Sequence, residues 1–397
     1  MTLSIFPKAE ARFKFAILFS FFPCAILYSL HYPVPDIITL GIWVCAFPSA
    51  IGLLSLLLLP LFPSQTYGYF AYNLFCVIAT FTVAIRVGKS ISAIPQSIPK
   101  LYKFTRNCMY LTLFIAIWQV FDGSMWQGFF PDMSGLDTAR GAGLRTEPSL
   151  LAALLAIYLS IAVSHLYRSR RFEQKSGSSL VFEALALILS FLLVTRSLSV
   201  LLVAVCFIPA LVPRMRHALV AALASLSVAT IVFGARIMAA VSDTGGSLLL
   251  LITVGIKSWR NVPDILILTN PRQYLLPGNP AQTRDLLNSL ATAWSPLFAW
   301  LDNTYSTFSA SASTLGLIVT AWLFIAGIVF STRRPSSFAR IRLTWLSLYV
   351  TAWFILPKYE PMSWIALSLL GFSFNYVVDD NKVTQQTVVR PAGNGQD

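Results

Sequence analysis

Two arginines, two glycines and a glutamate stand close together in the segment 140–149, which reads RGAGLRTEPS. Guanidinium groups bind phosphate through parallel N–H donors, and glycines let the backbone approach a ligand closely. Pro148 suits the first turn of a helix, so Glu147 falls where a carboxylate caps the helix and meets its positive end. The segment therefore predicts an anion-binding site at a helix start, although a simple helix cap also explains Glu147.

A second set of candidate residues lies in and after the segment 241–304: Arg260, Arg272, Arg284, Asp302, Asn303 and Tyr305. Asp302 and Glu147 are carboxylates of the kind that act as general bases, and arginines neutralise anions without proton transfer. Arg196 stands between two apolar runs, where it would be costly in lipid unless it lines a polar cavity or reaches the membrane interface.

The elements that must position these residues are apolar along nearly the whole chain of 397 residues. Hydrophobic residues make up 56% of the sequence and charged residues only 11%, against about 25% charged in an ordinary globular protein. The five cysteines and three histidines have no disulfide, zinc or haem spacing, so no metal is expected. This composition predicts an all-α polytopic integral membrane protein, folded as one membrane domain over 1–397.

Apolar runs between charges and turn residues indicate eleven candidate membrane spans, within a range of ten to twelve. They cover residues 13–30, 37–62, 67–85, 104–121, 148–167, 180–195, 197–212, 217–240, 305–330, 342–357 and 361–378. The run 180–212 would be about 50 Å long as one helix. A break is therefore expected at Thr195-Arg196-Ser197, with one long tilted helix as the alternative. Residues 379–397 are expected to form a disordered cytoplasmic tail.

The net charge of +13 lies mainly in short loops between the apolar runs, which argues against nucleic acid as a partner. Loops 86–106, 168–176 and 333–342 are basic and are expected on the cytoplasmic side. Segments 122–147 and 241–304 are acidic or balanced, and are expected to form two large loops on the outside, the bacterial periplasm. Eleven spans then place the N-terminus outside, in conflict with the basic residues Lys8, Arg12 and Lys14.

The order of these features resembles the Wzy-type polysaccharide polymerases of the O-antigen polymerase and ligase superfamily. The pattern Arg-x-x-Gly-x-x-x-Glu-Pro-Ser at 140–149 opens a membrane helix there as well. The segments 195–199, 302–305, 315–317 and 357–361 are similar to later motifs of that family. The resemblance covers about residues 100–375, and the plan is closest to polymerases of colanic-acid-type exopolysaccharides.

This resemblance implies a GT-C-like glycosyltransferase of the bacterial inner membrane, which joins repeat units carried on undecaprenyl diphosphate into exopolysaccharide or O-antigen. The carrier is part of the substrate, and no cofactor is implied. The expected catalytic residues are Asp302, Glu147, Arg140 and Arg260. The expected residues for binding diphosphate and substrate are Arg145, Arg196, Gly143, Arg272, Arg284, Asn303 and Tyr305. Membrane lipid, a flippase and a chain-length regulator are the expected partners.

Two other functions stay open at the level of the sequence. Ligases of the superfamily tend to carry a histidine where this chain has Asp302, which favours a polymerase over a ligase. A flippase or transporter of lipid-linked glycans is the alternative from another class, but repeated halves with interrupted helices are not seen. Of the two carboxylates, Asp302 is expected to be the base. Glu147 caps a helix beside two arginines and should have a lowered pKa, so it would mainly orient Arg140 or Arg145.

Overall fold

The computed structural model describes residues 8–21, 34–58, 67–121, 141, 143, 151–172, 177–195, 197–211, 344, 345, 348, 362 and 364–370. Regular structure in these residues is helical, and none of them lies in a strand. The expected all-α class is confirmed for this part of the chain.

Eight α-helices can be delimited in the described residues: α1 Ala9–Phe21, α2 Val34–Ala46, α3 Ala50–Leu58, α4 Tyr67–Ser92, α5 Ile98–Phe121, α6 Leu151–Phe172, α7 Ser178–Thr195 and α8 Leu198–Leu211. A 3₁₀ turn, Pro95–Ser97, lies between α4 and α5. Two of the helices, over Leu151–Ser169 and Ser178–Thr195, are long and apolar enough to cross a membrane.

Six predicted spans coincide with helices, but the predicted basic loops are too long. The span predicted over 13–30 overlaps α1, and those over 67–85, 104–121, 148–167, 180–195 and 197–212 overlap α4, α5, α6, α7 and α8. The loop expected over 86–106 is mostly helix, and α6 continues into the loop expected over 168–176. Lysine and arginine are good helix formers with long side chains, so a helix can carry them beyond its apolar part.

Other predictions fall outside the described residues. These are the spans 217–240 and 305–330, the loop 241–304, the tail 379–397, most of the last two spans, and the loop 122–147 except positions 141 and 143.

The break expected near Arg196 is confirmed. Helix α7 ends at Thr195, and α8 begins at Leu198 and packs against α7. The Ser197 N–H donates to Thr195 Oγ1 at 3.3 Å, which pairs a backbone group that the interrupted helix leaves open. One long tilted helix over 180–212 is therefore wrong.

The single span predicted over 37–62 is also wrong, because the chain reverses direction within it. Helix α2 ends at Ala46, and α3 begins at Ala50 with Ser49 Oγ accepting the Gly52 N–H at 3.0 Å. A Cβ on Gly52 would lie 3.6 Å from Val44 Cγ1. Residues eight apart in a continuous helix are about 12 Å apart along its axis. A sharp bend at 47–49 therefore separates α2 from α3, and we infer that the two helices form a helical hairpin.

This hairpin explains which elements meet at the N-terminal end of α1. Glu10 accepts a hydrogen bond from Ser97 Oγ at 2.8 Å and pairs with Lys14 Nζ at 2.6 Å. The hydrogen bond from Lys14 is the main reason that the pKa of Glu10 is lowered. One arm over 37–62 would put the start of α1 and the end of α4 at opposite ends of the bundle. Two arms put them at the same end, as the Glu10–Ser97 contact requires.

Helix α6 lies at the centre of the described bundle. Every residue from Leu151 to Val163 is buried, and α5, α7 and α8 all pack against this helix. Ser160 Oγ donates to the carbonyl of Ala366 at 3.0 Å, which joins α6 to the helical residues 364–370. By contrast, α7 leaves Phe182, Leu189 and Leu193 exposed on its outer face. The start of α6 is thus held in place from several sides.

The hairpin makes a specific prediction about the side on which the N-terminus lies. In a variant without native cysteines, Lys8→Cys and Gln96→Cys should react with an impermeant thiol reagent from the same side of the membrane, and Ser124→Cys from the other side. A reversal between α2 and α3 gives this result whether the two helices cross the membrane or turn back within it, whereas one continuous arm would separate the two positions. Labelling of Lys8→Cys and Gln96→Cys from opposite sides in intact and inverted vesicles would contradict the hairpin.

Candidate functional site

Gly143 is the one predicted site residue in the described part of the chain. The other ten lie outside it: Arg140, Arg145, Glu147, Arg196, Arg260, Arg272, Arg284, Asp302, Asn303 and Tyr305. The site is therefore built from Gly143, its neighbour Gly141 and the helices that they contact.

The side-chain amide of Gln119 forms two hydrogen bonds with the backbone of Gly143, one as acceptor and one as donor. The Gly143 N–H donates to Gln119 Oε1 at 2.8 Å, and Gln119 Nε2 donates to the Gly143 carbonyl. Gly143 has a φ of 64°, a left-handed conformation in which glycine avoids the strain of a side chain. A Cβ there would lie 2.9 Å from Thr112 Cγ2. The paired hydrogen bonds thus fix a buried turn against the last part of α5.

Gly141 ties the same segment to the end of α7. Its N–H donates to the carbonyl of Val194 at 3.0 Å. A Cβ on Gly141 would lie 2.3 Å from the carbonyl oxygen of Ala116, so a larger residue would push the segment away from α5. Gly141 therefore allows close packing against α5 and α7, and Gly143 allows close packing against α5 and α6.

The break between α7 and α8 lies next to this contact along the chain. Thr195, Ser197 and Ser199 are all buried there. Thr195 Oγ1 donates to the carbonyl of Phe191 at 2.7 Å, while Ser199 Oγ has no hydrogen-bond partner among the described residues. A buried hydroxyl of this kind can donate to a ligand that enters the break.

The start of α8 lies in this region, close to α6. Leu151, the first described residue of α6, has its Cδ2 atom 3.6 Å from where a Cβ on Gly143 would stand. Helix α8 begins at Leu198, four residues after Val194, and packs against α6. The N-terminus of a helix carries partial positive charge and unpaired N–H groups, which favour anions. The described geometry at this end of the bundle is suited to a negatively charged group.

A polar network lies nearer the other end of α5 and α7, around Glu183. This carboxylate accepts hydrogen bonds from Tyr102 Oη at 3.0 Å and Tyr110 Oη at 2.8 Å. Arg106 Nε lies 3.5 Å from Glu183 Oε1. The Tyr102 ring contacts the His165 ring of α6 at a centroid distance of 4.9 Å. Because the chain itself supplies partners for Glu183, we interpret the network as a connection between α5 and α7.

Gln119 and the partners of Glu183 were not predicted from the sequence, although a sequence pattern marks each of them. Gln119 interrupts an apolar run near the end of α5, and Tyr102, Arg106 and Tyr110 recur at four-residue intervals on one helix face. Neither pattern identifies the residue that is contacted, since Gly143 is 24 positions from Gln119 and Glu183 is 73 positions from Tyr110.

Comparison with protein families, with curated proteins and with solved structures found no match to this chain.

The contact between Gln119 and Gly143 predicts a loss of stability when the amide is removed. Gln119→Leu leaves two buried backbone groups unpaired, which should lower the free energy of unfolding by about 2–4 kcal/mol. Gln119→Glu keeps the acceptor for the Gly143 N–H but sets an oxygen against the Gly143 carbonyl, so it should also destabilise. The matched control is Gln96→Leu, at an exposed position in the 3₁₀ turn. Unfolding midpoints in detergent measure the effect, and a Gln119→Leu midpoint equal to that of Gln96→Leu would contradict it.

Proposed function

We propose that this chain is a membrane glycosyltransferase that polymerises repeat units carried on polyprenyl diphosphate. The observation that carries the proposal is the hydrogen bond between Gly141 and Val194, 3.0 Å from N to O. It joins the start of the segment 140–149 to the end of α7, directly before Arg196. The two stretches that the sequence suggests for binding an anion are thereby linked.

Chain connectivity turns this contact into a limit on distance. Arg140 is bonded to Gly141, and Arg196 is two residues beyond Val194. With standard bond lengths, the Cα atoms of Arg140 and Arg196 are at most about 12 Å apart. Two guanidinium groups from such positions can reach one diphosphate. The starts of α6 and α8 and the buried hydroxyl of Ser199 would add to the same site.

The chemistry proposed for the site follows from the charge that develops on the leaving group. Arg140, Arg145, Arg196 and Arg260 would neutralise the diphosphate as the bond to the sugar breaks. Asp302 would take the proton from the attacking hydroxyl of the acceptor, and Glu147 would orient an arginine. Arg272, Arg284, Asn303 and Tyr305 are proposed to contact substrate. Direct attack by the acceptor inverts the configuration at the sugar and needs no covalent intermediate.

The proposed location is the bacterial inner membrane, with the Gly141 end of the bundle in the periplasm. The basic residues near the α4–α5 turn, among them Lys89, Lys100 and Lys103, would then face the cytoplasm in agreement with the positive-inside rule. The reversal at 47–49 makes the predicted number of crossings even instead of eleven, whether α2 and α3 cross the membrane or turn back within it. An even number places the N-terminus in the cytoplasm and removes the conflict with Lys8, Arg12 and Lys14.

The proposal predicts that Arg140 supports elongation. Arg140→Ala should slow polymerisation by about 10²-fold or more, equivalent to about 3 kcal/mol of transition-state stabilisation. Arg140→Lys should restore part of the rate, because lysine keeps the charge but loses the planar pair of donors. Arg86→Ala removes an exposed arginine of α4 and serves as the control. The measurement is the length distribution of carrier-linked glycan made by purified protein from synthetic carrier-linked repeat units.

The same assay separates the two carboxylates and the rival functions. Asp302→Asn should bind donor without elongating it, and Glu147→Gln should weaken binding while some turnover remains. Wild-type rates in both Arg140→Ala and Asp302→Asn would contradict the proposed site. Transfer of a finished glycan to another lipid, with no elongation, would indicate a ligase. Movement of carrier-linked units across the bilayer without new glycosidic bonds would indicate a flippase.

A further inference from the structure

One face of α5 is exposed along almost its whole length. The exposed side chains on it recur every three or four residues, as one helix face requires: Lys100, Lys103, Asn107, Tyr110, Leu111, Phe114, Trp118 and Phe121. The face begins with lysines and continues as an apolar and aromatic surface. Phe121, at its far end, is 85% exposed.

Helix α7 extends this surface sideways. The two helices run in the same direction, since Glu183 near the start of α7 bonds Tyr102 and Tyr110, and Val194 near its end meets Gly141 beside Ala116. Phe182, Leu189 and Leu193 are exposed on α7. The α5–α7 face, defined by these residues of α7 and the exposed residues of α5, is therefore one continuous surface with charge at one end only.

We propose that the α5–α7 face binds an anionic phospholipid, with the headgroup at Lys100 and Lys103 and an acyl chain along the apolar part. The dimensions fit this occupant. The rise from Tyr110 to Phe121 is about 16 Å, and one leaflet of a bilayer contributes about 15 Å of hydrocarbon. Lys103 lies two turns of helix before Tyr110, at the depth expected for a headgroup.

The charges available at this end select an anionic headgroup. Arg106 is paired with Glu183, and Lys14 with Glu10. Lys100 lies close enough to Glu10 to help Lys14 lower the pKa of that carboxylate, but Lys100 and Lys103 are exposed and neither forms an ion pair with a carboxylate of the described residues. Lysines near a membrane surface attract anionic lipids, whereas a zwitterionic headgroup brings a cation of its own. The tyrosine hydroxyl held by Glu183 marks the boundary between the polar and apolar parts of the face.

The inference rests on the placement of the chain in a membrane and not on glycosyl transfer. The headgroup site lies at the opposite end of α5 from Gly141, so lipid binding and polymerisation can fail separately. A second copy of the chain on this face would have to bury Lys100 and Lys103 at its edge without a described carboxylate to pair with them.

Native mass spectrometry of the purified full chain in detergent at 150 mM salt tests the proposal. Phosphatidylglycerol and phosphatidylcholine with the same acyl chains serve as probes. The wild-type chain should bind phosphatidylglycerol about tenfold more tightly. The double variant Lys100→Gln/Lys103→Gln should lose that preference and bind phosphatidylcholine as before. The control Arg86→Gln/Lys89→Gln removes the same charge from exposed positions of α4 and should keep the preference.

A third variant tests the apolar part of the face. Phe114→Ala/Trp118→Ala should weaken both lipids by the same factor, since it removes apolar contact and no charge. Equal affinity of the wild-type chain for the two lipids would overturn the proposal. An equal loss of preference in the α4 control would overturn it too, because the attraction would then come from the general positive charge. A lipid-free dimer that dissociates when Phe114 and Trp118 are replaced would show that a second copy occupies the face.

Discussion

The two hydrogen bonds between the Gln119 amide and the backbone of Gly143 fix the segment on which the candidate site depends. A buried backbone N–H and carbonyl need partners, which outside a helix or sheet come from a side chain, water or another backbone group. Gln119 supplies both from the last turns of α5. Gly141 then reaches the end of α7, and α6 begins eight residues after Gly143. The Gln119 amide thus joins α5 to Gly143, and Gly141 in the same predicted site segment joins α7.

The two ends of the described bundle differ in chemistry, and this difference organises the proposed function. At the Gly141 end, α8 begins after a helix break that interrupts an apolar run, and the buried hydroxyl of Ser199 has no hydrogen-bond partner among the described residues. At the other end, lysines surround the α4–α5 turn and the Glu183 network joins α5 to α7. In the proposed function, the diphosphate of the lipid-linked substrate would bind at the Gly141 end, and the basic end would face the cytoplasm.

Local features of this fold were predictable from the sequence, and features that depend on distant partners were not. The end of α7 at Thr195 agrees with the predicted span, because the apolar pattern is interrupted there. The reversal at 47–49 was missed, since both arms are apolar and prolines also interrupt continuous membrane helices. The role of Gln119 depends on a glycine 24 positions away, and its type alone fits many roles. Gly143 was predicted as a site residue beside a ligand; the structure shows the Gln119 contact that holds its backbone, and its part in a binding site stays a prediction.

Cross-linking positions 140 and 196 tests the central claim most directly, which is that the Gln119–Gly143 contact brings these two arginines to one site. In a variant without native cysteines, Arg140→Cys/Arg196→Cys should be joined rapidly by a short bifunctional thiol reagent, because the Cα atoms are at most about 12 Å apart. Adding Gln119→Leu should slow the reaction, and the pair Arg140→Cys/Lys103→Cys should not react, because Gly141 lies beside Ala116, far along α5 from Lys103. Failure of the 140–196 pair to cross-link, while each cysteine alone is labelled, would contradict the account.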